Sequence, residues 1–358
     1  MPVIRANQPI HTRRLALVIL GVVILLELGF RAIGAVWLNR PFWDDRKYVP
    51  DEHLIWKLNP GYSGIWNPLF PHLKINRQGL VGPEPSRPKD PGTVRIIILG
   101  GSVQFGFGIH DFDSTSYSFL ARRLRERESM QRKYELLNAS APGYSSHNGL
   151  QFVRHKLARH EADVLIMGFG GNDGAFDLAP DKDPAKDWSV SDMSIGGALT
   201  YSCILRWEET LRENVLSKYF PHKTVAFKRD FPRRVPLSDF RDNLRACVED
   251  CRARGVEPIL LVEPHPHGVS DPTGKVATHQ AYQEAIRRVA GDMGVILADA
   301  DSVLQHYPVG EVYPDPTVQF FYPSIRGQEV MAEVMLEALE RAGAVKPEES
   351  APAPLARE

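Results

Sequence analysis

Val94-Arg95-Ile96-Ile97-Ile98-Leu99-Gly100-Gly101-Ser102 decides the fold. Val94 to Leu99 is a nearly continuous apolar run rich in β-branched residues, the pattern of a strand buried on both faces, and small residues follow it at once. Similar runs recur at Glu135 to Leu137, Val164 to Met167, Ile259 to Val262 and Val295 to Leu297. Between and after them, helical periodicity fits Tyr117 to Arg127, His147 to Arg159, Leu237 to Ala253, Gln280 to Ala290 and Gln328 to Ala342. Strands alternating with helices predict an α/β fold: a three-layer parallel sheet flanked by helices on both faces.

Upstream of this domain, Leu15 to Leu38 is apolar except for Glu27, Arg31 and a few small residues, long enough to span ~30 Å of hydrocarbon as a helix. Glu27 and Arg31 lie four apart and can pair on one helix face. Arg5, Arg13 and Arg14 precede the span, which predicts a short cytoplasmic tail, residues 1–14, a single-pass anchor, 15–38, and a main domain on the extracytoplasmic, periplasmic side. A cleaved signal peptide is the rival reading. Residues 39–92, rich in Pro, Trp and Tyr, predict an ordered extension packed on the main domain, because Trp43, Trp56, Trp66 and Phe70 are costly to leave in water. The Pro-rich stretch Pro83 to Pro91 marks the boundary. The main α/β domain is then 93–343, interrupted by an insertion at 174–236 that either covers the site or elaborates the surface, and 344–358 read as a disordered tail.

The chain of 358 residues balances 43 Lys and Arg against 44 Asp and Glu, so no global field favours nucleic acid. Three cysteines, Cys203, Cys247 and Cys251, are too few for a disulfide framework; Cys247 and Cys251, four apart in a helical pattern, read as buried small hydrophobes. No cofactor is implied. His265 and His267 with Glu263 have the composition of a metal site but read as polar loop residues.

The chemistry lies in three post-strand loops. Gly100-Gly101-Ser102 follows the first strand, Ala141-Pro142-Gly143-Tyr144-Ser145 the second and Gly170-Gly171-Asn172-Asp173 the third. Loops at the carboxyl ends of parallel strands share one edge of the sheet. A backbone N–H at Ser102, another at Gly143 and the Asn172 amide can therefore converge on one oxygen, as an oxyanion hole requires. The first loop lacks the Lys-Ser/Thr of a P-loop and the spacing of a dinucleotide fingerprint. Asp173 and Asp177 read as loop and capping residues.

These motifs, in this order, resemble the SGNH hydrolase superfamily, also called GDSL-like esterases, and specifically its bacterial members with an N-terminal membrane anchor. The resemblance runs from about Ile75 to Ala342 and implies an SGNH or flavodoxin-like fold, with Ser102 as nucleophile and Ser102, Gly143 and Asn172 as oxyanion donors. Gly101 replaces the Asp of the Gly-Asp-Ser motif. The family's last block, Asp-x-x-His, is missing: Pro323, Ser324 and Gly327 register it, so Tyr322 stands at the His position and Gln319 at the Asp position. Tyrosine titrates near ~10, far from the ~7 that suits a base at neutral pH.

Three readings follow. The domain binds an envelope glycan or a partner protein in an inherited pocket as a pseudoenzyme; or His265 or His267, oriented by Asp315, replaces the base; or Tyr322 with a lowered pKa is itself the base. An active domain would cleave or transfer an acyl ester, with an O-acyl group on a cell-envelope glycan as the substrate class implied by the resemblance and the anchor.

Overall fold

The structure, a computed structural model, describes residues 10–37, 46–64, 73–177, 179–183, 231–268, 274–314 and 322–347. Helix α1, Ile10–Trp37, contains the 23-residue apolar stretch Arg14–Val36, of mean hydropathy 2.4. It is long and apolar enough to cross a membrane, and fits either a single-pass anchor or a signal sequence. Glu27 and Arg31 pair across one helical turn at 2.8 Å, which removes two unpaired charges from an otherwise apolar surface.

The extension folds as two small antiparallel ladders, β1 (Tyr48–Asp51) with β2 (Ile55–Leu58), and β3 (Ser63–Gly64) with β4 (Leu73–Lys74). Leu54, Leu58, Tyr62, Leu73 and Ile75 are buried in the same core as the main sheet. Asp51 fixes the hairpin to the domain. Burial raises its carboxyl, but hydrogen bonds from Lys156, from the His53 and Leu54 backbone and from Lys57 outweigh that and hold it at about 2.

The Pro-rich segment is a clasp rather than a free linker. Arg95, 0% exposed, reaches from β5 (Thr93–Gly100) to the Ser86 carbonyl, the Glu135 carboxylate and the His160 carbonyl, each at 2.7 Å. A guanidinium can be buried only when its donors are satisfied in this way. The polar residue inside the deciding apolar run therefore ties the segment before the sheet to its first strand.

β5 is followed by α2 (Ser102–Phe105), α3 (Ser116–Glu126), β6 (Lys133–Asn138), α4 (Ser146–His155) and β7 (Val164–Gly168). After the insertion come α5 (Leu237–Arg252), β8 (Glu257–Val262), α6 (Lys275–Met293), β9 (Ile296–Asp299), α7 (Ala300–Leu304), α8 (Val309–Val312) and α9 (Ile325–Arg341). The five main strands are parallel in the order β6-β5-β7-β8-β9. Period-two alternation divides them between two cores. Ile96, Ile98, Leu136, Ile166 and Leu261 pack under α3 and α9, while Ile97, Leu99, Leu137, Leu165 and Leu260 pack under α4, α5 and α6. This is the expected three-layer α/β fold. Strand order reverses between β5 and β7, the place where open α/β sheets leave a crevice at their carboxyl edge.

Three details differ from the sequence reading. The helix expected over His147 to Arg159 is broken: α4 ends at His155, and Leu157–His160 form a separate 3-10 turn closed by Glu161 at φ 48°. The chain expected to be disordered from 344 instead packs Ala344 and Val345 into the α3/α9 core, with Val345 1% exposed, because both side chains are apolar and follow α9 directly. The two ends of the insertion are held together by a Phe176–Arg233 bridge and by Arg234 N–H donating to the Ala175 carbonyl. Its middle, with Cys203 and the question of whether it covers the site, lies outside the described residues. Cys247 and Cys251 are buried free thiols, and burial raises both well above their ordinary range.

Candidate active site

Ser102 is the first residue of α2, directly beyond β5, and is half-buried. Its N–H belongs to the first turn, where helix geometry supplies no intrahelical acceptor, so it is available to an oxyanion. The turn is tightened by Gln104, whose side-chain oxygen accepts from the Gly101 N–H at 3.0 Å.

The loop after β6 places Gly143 at φ 88°, a left-handed conformation that glycine adopts at no steric cost. The Trp56 ring covers it, with Cζ2 3.2 Å from the point a Cβ would occupy. The loop after β7 places Asn172 so that Nδ2 donates to the Tyr144 carbonyl at 2.9 Å, joining the two loops. A carboxamide carries two N–H donors, and the second remains for a ligand. A Cβ on Gly101 would lie 2.8 Å from Asn172 Nδ2 and 3.4 Å from the Tyr144 oxygen, so the loops bearing Ser102, Gly143 and Asn172 meet at van der Waals distance. Asp173, beneath them, accepts from the Ser146 N–H at 2.8 Å and from the Gly170 N–H at 3.0 Å, and so caps α4 and fixes the turn. Burial pushes its carboxyl up to about 6, against the Ser146 hydrogen bonds.

The Ser102 hydroxyl lies 3.1 Å from the Tyr322 hydroxyl. Tyr322 packs against Gly108, whose φ of 90° and missing side chain let the ring approach, and against Phe107, ring centroids 5.2 Å apart. Burial raises the Tyr322 pKa above its ordinary value; the Ser102 hydrogen bond opposes this and the nearby Glu263 adds to it. The direction is opposite to that needed for tyrosine to act alone as the base, because a buried phenol loses more hydration on ionising than one hydrogen bond restores.

No histidine is hydrogen-bonded to Ser102 among the described residues. His265 is buried and faces elsewhere: Nδ1 is 2.8 Å from Asp301 Oδ1, and Nε2 lies against the Gln280 amide at 3.2 Å. This pair borders a separate polar cavity of about 420 Å³ with Gln283 and Arg287 at the ends of β8 and β9. Burial raises the Asp301 carboxyl, but His265 and Arg287 outweigh it and hold it at about 2. His267 is half-buried, with no partner for Nδ1 among the described residues. Asp315 and Gln319 lie outside those residues. No group of three His, Cys, Asp and Glu is placed to hold a metal ion among them either.

Two contributions to the site differ from the sequence reading, which weighs Glu263 only as part of a metal site and the extension only as packing. The first is Glu263, the residue after β8, which is 4% exposed and accepts from the Gly171 N–H at 3.3 Å. Burial pushes its carboxyl up to about 7, against the Gly171 N–H and the Gln104 amide. Its position at the carboxyl end of a strand was the available clue. The second is the extension itself: besides Trp56 on Gly143, Tyr48 lies near Tyr322, and its pKa is raised by burial and by that neighbour.

A buried strand ending in a half-buried serine, with Asn172 and Gly143 on the neighbouring loops, is matched by the family model of GDSL-like lipases and acylhydrolases over residues 98–330. The chain belongs to the GDSL-like lipase/acylhydrolase family. Among solved structures, this GDSL-like chain is similar to the lipase/acylhydrolase from Enterococcus faecalis, at 14% identity over 72% of this chain and 100% of that one, TM-score 0.45. An acetylxylan esterase from Geobacillus stearothermophilus gives 12% identity, 70% and 96% coverage and TM-score 0.44. An α/β hydrolase from the metagenome of Lake Arreo, Spain, gives 21% identity, 68% and 94% coverage and TM-score 0.43. No curated protein matches the chain.

Proposed function

We propose that this GDSL-like domain is a membrane-anchored acyl-ester hydrolase or acyltransferase with Ser102 as nucleophile. The observation that carries this reading is the Ser102 hydroxyl at the crevice edge of β5, 3.1 Å from a second hydroxyl and beside the Asn172 and Gly143 loops. The Ser102 N–H, the Gly143 N–H and the free Asn172 amide hydrogen stabilise the tetrahedral oxyanion, each such donor being worth ~2.7–4 kcal/mol of barrier. Helix α1 anchors the chain with the domain on the periplasmic side, which puts O-acyl groups on cell-envelope glycans within reach as the substrate class.

A second reading is a binding module for an envelope glycan or a partner protein. It is favoured by the raised Tyr322 pKa and by the absence of a histidine bonded to Ser102 among the described residues. Labelling of the full-length protein in non-ionic detergent by a fluorophosphonate probe separates the two. Labelling that vanishes in Ser102→Ala supports the enzyme; a folded wild type that does not label refutes it in favour of the module.

A further inference from the structure

Glu263 is a buried carboxyl at the centre of the site with no cationic partner among the described residues. Oε2 lies 3.3 Å from the Gly171 nitrogen, and Oε1 lies 3.9 Å from the point a Cβ on Gly101 would occupy. The carboxyl thus sits between the residue before Ser102 and the residue before Asn172. Among the described residues the Gly171 N–H, not a Lys or Arg, is what its carboxylate accepts from. The Gly171 hydrogen bond does not require an ionisable group, since the amide oxygen of a glutamine would accept it equally.

Two more observations give the carboxyl a path to Ser102. The Gln104 amide is buried beside it and opposes the rise in its pKa, yet Nε2 completes no well-aligned hydrogen bond among the described residues, so it can donate to a water placed against the carboxyl. The Tyr322 hydroxyl, 3.1 Å from Ser102 Oγ, also experiences the Glu263 charge. Tyr322 donates to Ser102 Oγ in this arrangement, but heavy-atom positions do not fix hydroxyl hydrogens, and the reverse direction needs only a turn of each O–H.

We propose that Glu263 is the proton acceptor and donor for Ser102, with the Tyr322 hydroxyl and one water carrying the proton between them. The proposal rests on the acyl-ester reading above. As Ser102 Oγ bonds to the acyl carbon, its proton passes to the Tyr322 oxygen, the Tyr322 proton passes to the water, and a water proton passes to the Glu263 carboxylate. When the tetrahedral intermediate collapses, the ester C–O bond breaks and the same path returns one proton to the leaving alkoxide, which departs as the alcohol. Tyr322 stays neutral before and after each transfer, consistent with a phenol that burial makes hard to ionise.

Among the described residues, few groups face Glu263. Asp173 from the β7 loop raises its pKa, and the Tyr322 phenol faces it from the loop before α9. His279 from α6 is held neutral, pushed down to about 4 by burial and by His265 on the loop beyond Glu263 itself. Gln104 and Gln283 do not titrate. With the carboxyl titrating at about 7, it is a competent acceptor above that pH and mostly protonated below it.

The test is the rate of fluorophosphonate labelling of the full-length protein in non-ionic detergent between pH 5 and 9. Wild type should label faster as pH rises through about 7 and then level off. Glu263→Gln should label at least ~100-fold more slowly at pH 8, lose the inflection and converge with wild type at pH 5. Tyr322→Phe should also lose at least ~10-fold. Glu263→Asp, which retains a carboxyl, should keep the inflection at a reduced rate, and it serves as the test if Glu263→Gln fails to fold. A labelled wild type whose rate and inflection survive in Glu263→Gln would overturn the assignment of Glu263 alone. A wild type that does not label at any pH would overturn the acyl-ester reading and this proposal with it.

Discussion

Replacing Glu263 by glutamine should stabilise the fold above about pH 4.5, with the gain nearly complete at neutral pH. A carboxyl that titrates at 4.5 in the unfolded chain and at about 7 in the buried site binds its proton more tightly when folded. Between those values the unfolded state releases the proton first, so the folded state loses stability as pH rises from about 4.5 through about 7 and loses no more beyond. At ~1.4 kcal/mol per pH unit, the full loss is about 3 kcal/mol. Glutamine keeps the size and the Gly171 hydrogen bond but has nothing to ionise. Guanidinium unfolding of full-length wild type and Glu263→Gln, followed by tryptophan fluorescence from pH 4 to 8.5, should give matching stabilities at pH 4 and a gap opening to about 3 kcal/mol by pH 8. Asp173, whose carboxyl is also raised, to about 6, remains in both proteins but faces Glu263, so the gap reads the coupled pair rather than Glu263 alone. A gap independent of pH, or one favouring wild type at pH 8, would show that Glu263 is not a strained buried acid, and the reasoning would fail. The expected result joins a stability cost to a labelling gain at the same residue, the pattern of a group retained for chemistry.

Two further outcomes follow from packing. Arg95→Ala should cost about 3–5 kcal/mol of unfolding free energy in the same titration, because it leaves the Ser86 and His160 carbonyls and the Glu135 carboxylate without their shared guanidinium. Gly143→Ala should slow labelling of Ser102 at least ~10-fold, since the left-handed backbone costs a side chain about 1–2 kcal/mol and the new Cβ meets Trp56 at 3.2 Å. Adding Trp56→Ala should return only the steric part of that loss, a separation measurable in a double-mutant cycle.

Hydrophobic pattern alone settled the architecture. Six residues from Val94 to Leu99 can bury both faces only in the interior of a parallel sheet, and the small residues that follow each strand can only be crevice loops. Local rules likewise placed Ser102, Gly143 and Asn172 on one edge, and the Glu27–Arg31 pair on one helix face. Tertiary structure decided the chemistry, because it depends on which side chains meet across long sequence separations. Tyr322 comes within 3.1 Å of Ser102 from 220 positions away, while His265, an equally plausible base by sequence, is turned toward Asp301. Glu263 ends an ordinary apolar run and gains its raised pKa only from the burial created by the neighbouring loops, a property that no linear pattern encodes. Trp56 covers Gly143 only because the hairpin core of Leu54 and Leu58 merges with that of the sheet. Periodicity and turn chemistry are local and are written along the chain; desolvation and hydrogen-bond direction arise only once the chain has closed on itself.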